Sequence, residues 1–145
     1  MDESVKKEID KFEIDKFLTF HDFVPHEQAI RATVESHLLL LIINDTPTKK
    51  GIVPGKMFEY LASERFVLAI GPVDGDAAKI YNETGCGKFF DYEDISGIKN
   101  FLLESYRNWQ KGNWQPSDTS LISKYERAEQ LAKIKEMFER LTFQI

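Results

Sequence analysis

The chain contains a run in which every residue from Leu38 to Ile43 is aliphatic, and this run limits the possible folds more than any other stretch. A strand covered by helices on both faces has this composition, because successive side chains point to opposite faces of a sheet. A second apolar run, Phe66 to Ile70, follows after a polar loop and a helical pattern. We therefore expect a parallel sheet whose strands are buried on both faces.

The rest of the pattern predicts further helices and strands in alternation. Helices are predicted over 3–12, 26–36, 56–64, 77–83 and 95–109, and strands over 17–20 and 88–90. Asp74 or Asp76 is expected to cap the helix over 77–83. The order predicts a Rossmann-like three-layer α/β/α domain, with a parallel sheet of about four strands and a helical C-terminus. Residues 1–145 form one domain in this interpretation, and 118–145 form its C-terminal amphipathic helix.

Charge and cysteine content exclude several classes of function. The net charge of -5 at pH 7 argues against a nucleic-acid or anionic-membrane surface, which requires a basic face. The single cysteine, Cys86, excludes an intramolecular disulfide and a multi-cysteine metal site, and we expect a structural role for it.

The longest apolar run is too short to span a bilayer, and no apolar signal segment follows Met1. We expect a cytoplasmic location.

The stretch from Gly51 to Ala62 has the features of an anion site. Its glycines and proline precede a helical pattern, and a helix start presents free N–H groups and the positive end of the helix dipole. Lys56 adds a positive charge there, and Glu59 follows one turn later. Because ligands of parallel sheets bind beyond the carboxyl ends of the strands, we expect this stretch to face a ligand.

The same residues resemble the donor-binding half of GT-B glycosyltransferases of the family 4 type. The similarity lies in Pro54-Gly55-Lys56-x-Phe58-Glu59-Tyr60-Leu61-Ala62, followed by Phe66-Val67-Leu68-Ala69-Ile70. Phe20 to Pro25 looks like that half's base-contacting strand and loop, and Gly71 to Gly87 looks like the turn, helix and glycine break that follow. The resemblance extends in order over residues 3–141.

This resemblance implies a nucleoside-diphosphate sugar as the donor substrate. It implies that Glu59 binds the ribose hydroxyls, and that Gly55 and Lys56, directly after Pro54, hold the diphosphate. It also implies that Phe23 and Val24 contact the base, mostly through their backbone. No metal or other cofactor is expected, because helix-end N–H groups and basic residues carry the diphosphate charge.

Three departures from the family pattern shape the expected function. Gly51 stands where many retaining members have a first glutamate, the opening strand–helix–strand is missing, and so is the acceptor domain. We therefore expect an N-terminally truncated fragment that is inactive alone. Its parent enzyme would transfer a sugar to a saccharide or lipid acceptor. A position at the cytoplasmic membrane face is expected only through this parent enzyme. The missing strands leave an open edge on the 17–20 or 38–43 strand, and we expect self-association through it.

A non-catalytic regulatory domain, similar to a receiver domain, is the alternative interpretation. Asp45 follows a buried strand, as a phosphoacceptor would. However, the early strand ends in His21-Asp22 without a paired acidic cluster, and the later loops lack a matching lysine. Nucleotide titration would separate the two hypotheses.

Overall fold

The computed structural model describes residues 2–113 and 121–142, which form an α/β domain with a helical C-terminal part. Its helices are α1 (Glu3–Lys11), α2 (His26–Glu35), α3 (Gly55–Ala62), α4 (Asp76–Thr84), α5 (Ile95–Gln110) and α6 (Arg127–Thr142). Its strands are β1 (Leu38–Ile42), β2 (Phe66–Ile70) and β3 (Gly87–Phe90). Short 3-10 turns occupy Asp15–Phe17, Lys49–Gly51 and Ser123–Tyr125.

The three strands form a parallel sheet in the order β1-β2-β3. The register pairs Leu38 with Phe66 and Val67 with Gly87. Helices α3 and α4 connect successive strands, as parallel pairing requires. The structure therefore confirms the expected Rossmann-like α/β fold.

The main core lies on one face of the sheet, between the strands and helices α3 and α4. Its fully or nearly fully buried side chains are Leu39, Leu41, Ile43, Met57, Leu61, Val67, Ala69, Ala77, Ala78, Tyr81, Cys86 and Phe89. Helix α5 covers part of the opposite face, where Phe101 packs against Phe66 and Phe90 with ring centroids 5.8 and 5.5 Å apart. This arrangement gives three layers, with the sheet in the middle.

The predicted strand over 17–20 is wrong. The chain there forms a 3-10 turn, in which the N–H of Phe17 donates to the oxygen of Ile14, and then continues as an irregular segment. Phe17 and Phe20 are exposed. A strand needs a neighbouring strand for its N–H and C=O groups, and no strand of the described residues pairs with this segment. The sheet formed by the described residues therefore has three strands instead of about four.

The expectation that the run over 38–43 is buried on both faces is also wrong. Leu39, Leu41 and Ile43 are buried, but Leu40 and Ile42 are 51% and 49% exposed. β1 is an edge strand, and on the opposite face Phe101 of α5 packs against Phe66 of β2 and Phe90 of β3. Helix α2 does not cover Leu40 and Ile42 either, since it has no buried residue.

Two further predictions need correction. Neither Asp74 nor Asp76 caps α4, because its N-cap is Gly75 and no side chain caps it. The C-terminal helix begins at Arg127 instead of 118, since residues 121–126 form a turn and a 3-10 turn. The predicted helix over 118–120 and 143–145 lies outside the described residues.

Residues 122–126 attach the start of α6 to the domain. Ile122 is buried in the main core. The Tyr125 hydroxyl donates to Oε2 of Glu83 at 2.5 Å, and the Lys124 ammonium pairs with the same oxygen. Glu83 lies on α4, and it precedes Lys124 and Tyr125 by more than forty residues. Residues 122–126 are therefore part of the fold.

Candidate functional site

The loops after the three strands meet at the carboxyl edge of the sheet. Nζ of Lys50, in the loop after β1, lies 2.5 Å from Oδ2 of Asp74, in the loop after β2. The Tyr92 hydroxyl, just after β3, donates to the carbonyl oxygen of Ile43 at 2.9 Å. This is the edge at which parallel sheets bind ligands.

Helix α3 starts at this edge and is anchored by buried Met57 and Leu61. Its N-cap is Pro54, which has extended backbone angles and provides no side-chain cap. Proline lacks an oxygen in its side chain, so it cannot satisfy the first N–H groups of the helix. Gly55 and Lys56 form the exposed start of this helix. Their N–H groups and the helix dipole favour an anion.

Gly55 faces open space. A Cβ built on it would meet no atom within 4 Å, and its backbone does not have a positive φ. Gly71, at the end of β2, is different, because a Cβ there would lie 2.9 Å from Cβ of Ile43. The fold therefore requires a glycine at position 71 but not at 55. The space beside Gly55 is open to a molecule that approaches the backbone.

Lys56 and Glu59 stand out from the charged residues around them. Lys49 pairs with Asp45 at 2.6 Å, Lys50 with Asp74, and Lys79 with Asp76 at 2.8 Å. Among the described residues, Lys56 and Glu59 have no such ion pair or hydrogen bond, and both are exposed. Glu59 follows Lys56 by three residues, so both side chains lie on neighbouring turns of α3.

The charged residues next to α3 form ion pairs with one another, and these pairs shift their pKa values. Hydrogen bonding to Lys50 holds the pKa of Asp74 below its usual value, and hydrogen bonding to Asp45 raises the pKa of Lys49. The Lys49 ammonium also lies 4.9 Å from the centroid of the Tyr92 ring. These contacts tie the loop after β1 to the two following loops.

Phe23 and Val24 are placed differently from the residues of α3. Both lie in the irregular segment before α2, and Phe23 is fully exposed. We expected this loop at the carboxyl edge because it was predicted to follow a strand, and the structure has no strand there. The structure thus brings Pro54, Gly55, Lys56 and Glu59 together, and base contact by Phe23 and Val24 stays a prediction.

Two features of this edge were not predicted from the sequence. The Lys50–Asp74 pair joins residues 24 positions apart, and the Tyr92 hydrogen bond to Ile43 joins residues 49 apart. A pattern of neighbouring residues carries no signal for either contact. The hydroxyl oxygen of Thr46, in the loop after β1, is buried and has no partner among the described residues.

The described residues contain neither a metal-ligand cluster nor a membrane-spanning helix. No group of three or more His, Cys, Asp or Glu side chains in the described part of the chain could hold a metal ion. Within residues 2–113 and 121–142, no helix combines the length and the apolar character needed to cross a membrane.

Comparison with known proteins identified no relative. No protein-family model matches the chain, and neither a curated protein sequence nor a solved structure matches it.

Proposed function

We propose that this chain is the donor-binding unit of a glycosyltransferase that transfers a sugar from a nucleoside-diphosphate sugar to a saccharide or lipid acceptor. The observation that carries the proposal is the start of α3. It combines uncapped N–H groups, open space beside Gly55, and two charged side chains, Lys56 and Glu59, that have no ion-pair partner among the described residues. All of them lie at the carboxyl edge of a parallel sheet.

Each group has a chemical role in this proposal. The N–H groups of Gly55 and Lys56 donate to diphosphate oxygens, and the Lys56 ammonium adds a mobile positive charge. The Glu59 carboxylate accepts hydrogen bonds from the two ribose hydroxyls, because an ionised carboxylate offers two acceptor oxygens. The donor diphosphate then needs no metal ion.

Sugar transfer also requires an acceptor site, and the groups at α3 bind only the donor. We therefore propose that catalysis needs a second, acceptor-binding unit, and that this chain alone binds nucleotide weakly. The proposal includes a cytoplasmic location, with any attachment to the membrane face made through the parent enzyme.

Titration with UDP, GDP and ADP tests the proposal. We expect one of them to bind saturably at millimolar concentration and to shift the amide NMR signals of Gly55, Lys56 and Glu59. Glu59→Ala should weaken this binding by roughly tenfold or more, because it removes charge-assisted hydrogen bonds. Isothermal titration calorimetry measures the affinities.

Glu129→Ala is the matched control, since Glu129 is also an exposed glutamate near the start of a helix, α6. It should leave the affinity unchanged. No saturable response to any of the three nucleotides, or shifts confined to residues far from α3, would refute the proposal.

A further inference from the structure

β1 has an open edge. The N–H of Ile43 donates to the oxygen of Ile70 in β2, at 2.9 Å. In a parallel strand the N–H and C=O groups of alternate residues point to alternate sides. The backbone groups of Leu38, Leu40 and Ile42 therefore point away from β2, and no other strand of the described residues pairs with β1.

The same alternate residues form an apolar surface beside this edge. Leu40 and Ile42 are half exposed, and α5 contacts the neighbouring strands through Phe101. A groove of about 580 Å³ continues this surface at the start of β1, lined by Leu38, Phe66, Phe101, Trp109 and other residues. β1 carries none of the charges, prolines or bulges that protect natural edge strands.

We propose that β1 pairs with β1 of a second copy of this chain, antiparallel and about a two-fold axis, to form a continuous sheet of six strands. A second copy fits this edge because an antiparallel pair of identical strands is self-complementary. Each copy offers the same alternating donors and acceptors. Leu40 would lie opposite Leu40 of the other copy, and β1 contains no charge that would be opposed by its own kind.

The mass of the chain in solution tests the proposal. We expect sedimentation and light scattering to give twice the mass of 16.8 kDa at about 100 µM and the monomer mass on dilution, since a short strand pair makes a small and weak interface. Leu40→Lys should shift the chain to the monomer, because the two-fold axis places the two ammonium groups opposite each other. Leu40→Thr, which keeps a strand-forming residue, should weaken the dimer without introducing a charge.

Val73→Lys is the control, because Val73 is 50% exposed but lies in the loop after β2, away from this edge. It should leave the dimer unchanged. Hydrogen exchange should show that the amides of Leu40 and Ile42 gain protection as concentration rises. A monomer at every concentration, or a dimer that resists both Leu40 substitutions, would overturn the proposal. Either result would mean that the partner of this edge is a strand with a different sequence from β1.

Discussion

At the scale of single residues, two glycines at helix starts differ in whether the fold has room for a side chain at their positions. A Cβ on Gly75, before α4, would lie 2.9 Å from Cγ of Pro72 and 3.1 Å from the backbone oxygen of Lys50. A Cβ on Gly55 would meet nothing within 4 Å. The first glycine is needed for the close approach of two loops. The second is compatible with a ligand that approaches the backbone.

We predict that Gly55→Ala leaves the free energy of unfolding unchanged or raises it by up to about 1 kcal/mol, because alanine restricts the unfolded chain. The same substitution should weaken nucleotide binding, since the methyl group enters the space of the ligand. Urea denaturation and calorimetry measure the two effects. Gly75→Ala should instead destabilise the fold, and a Gly55→Ala variant that binds nucleotide normally would contradict the role of this position.

Two tyrosine hydroxyl groups provide a second contrast. The Tyr81 hydroxyl is buried and has no hydrogen-bond partner among the described residues, and burial raises the pKa of Tyr81. The Tyr92 hydroxyl donates to Ile43.

We predict that Tyr92→Phe lowers the free energy of unfolding by about 1 kcal/mol, the usual net value of a hydrogen bond, whereas Tyr81→Phe leaves it unchanged or raises it. Thermal and urea denaturation of the two variants measure the difference. Equal losses for both would show that the Tyr81 hydroxyl has a partner.

At the scale of elements, Glu83 connects helix α4 to the 3-10 turn Ser123–Tyr125. It pairs with Lys124 and accepts a hydrogen bond from Tyr125, and these contacts lower its pKa. Because the folded pKa lies below the ordinary value of 4.5, the contacts contribute stability above pH 4.5 and lose it as the pH falls through the folded pKa.

We predict that Glu83→Gln, or acidification from above pH 4.5 through the lowered pKa of Glu83, loosens the attachment of residues 122–126. Hydrogen exchange should then be faster in the 3-10 turn Ser123–Tyr125 and at the start of α6, while β1–β3 keep their protection. Asp76→Asn is the control, because its pair with Lys79 is local to α4. An unchanged exchange rate in Glu83→Gln would show that Ile122 alone holds this segment.

At the scale of the whole molecule, the sheet has a fully covered face and a partly covered one. Adjacent leucines of β1 report on the two faces, since Leu41 is completely buried and Leu40 is half exposed. The stability contribution of a leucine in β1 should therefore depend on whether its side chain lies on the covered or the partly covered face of the sheet.

We predict that Leu41→Ala lowers the free energy of unfolding by about 3 kcal/mol or more, the range for cavities in a packed core. Leu40→Ala should cost less than about 1 kcal/mol. Denaturation at low protein concentration, where pairing of copies does not contribute, measures both. Similar losses at the two positions would mean that both faces of β1 are covered.

Helices α3, α4 and α5 and strands β2 and β3 follow their predicted bounds closely, because each is defined by local periodicity, an adjacent glycine or an aspartate cap. Asp94, for example, accepts from the N–H of Gly97 as the N-cap of α5, and Gly85 ends α4 with a positive φ. The grouping of Pro54, Gly55, Lys56 and Glu59 was predictable for the same reason, since all four lie on one helix start.

Local sequence thus determined the α/β alternation, the start of α3 and the apolar character of β1. Only the tertiary structure decided that 17–20 is no strand, that β1 lies at an edge with Leu40 and Ile42 exposed, and that Ile122 joins the core. The physical reason is that local patterns report which residues avoid water. Strand pairing, coverage of a face and contacts such as Lys50–Asp74 depend on which segments are present to meet them.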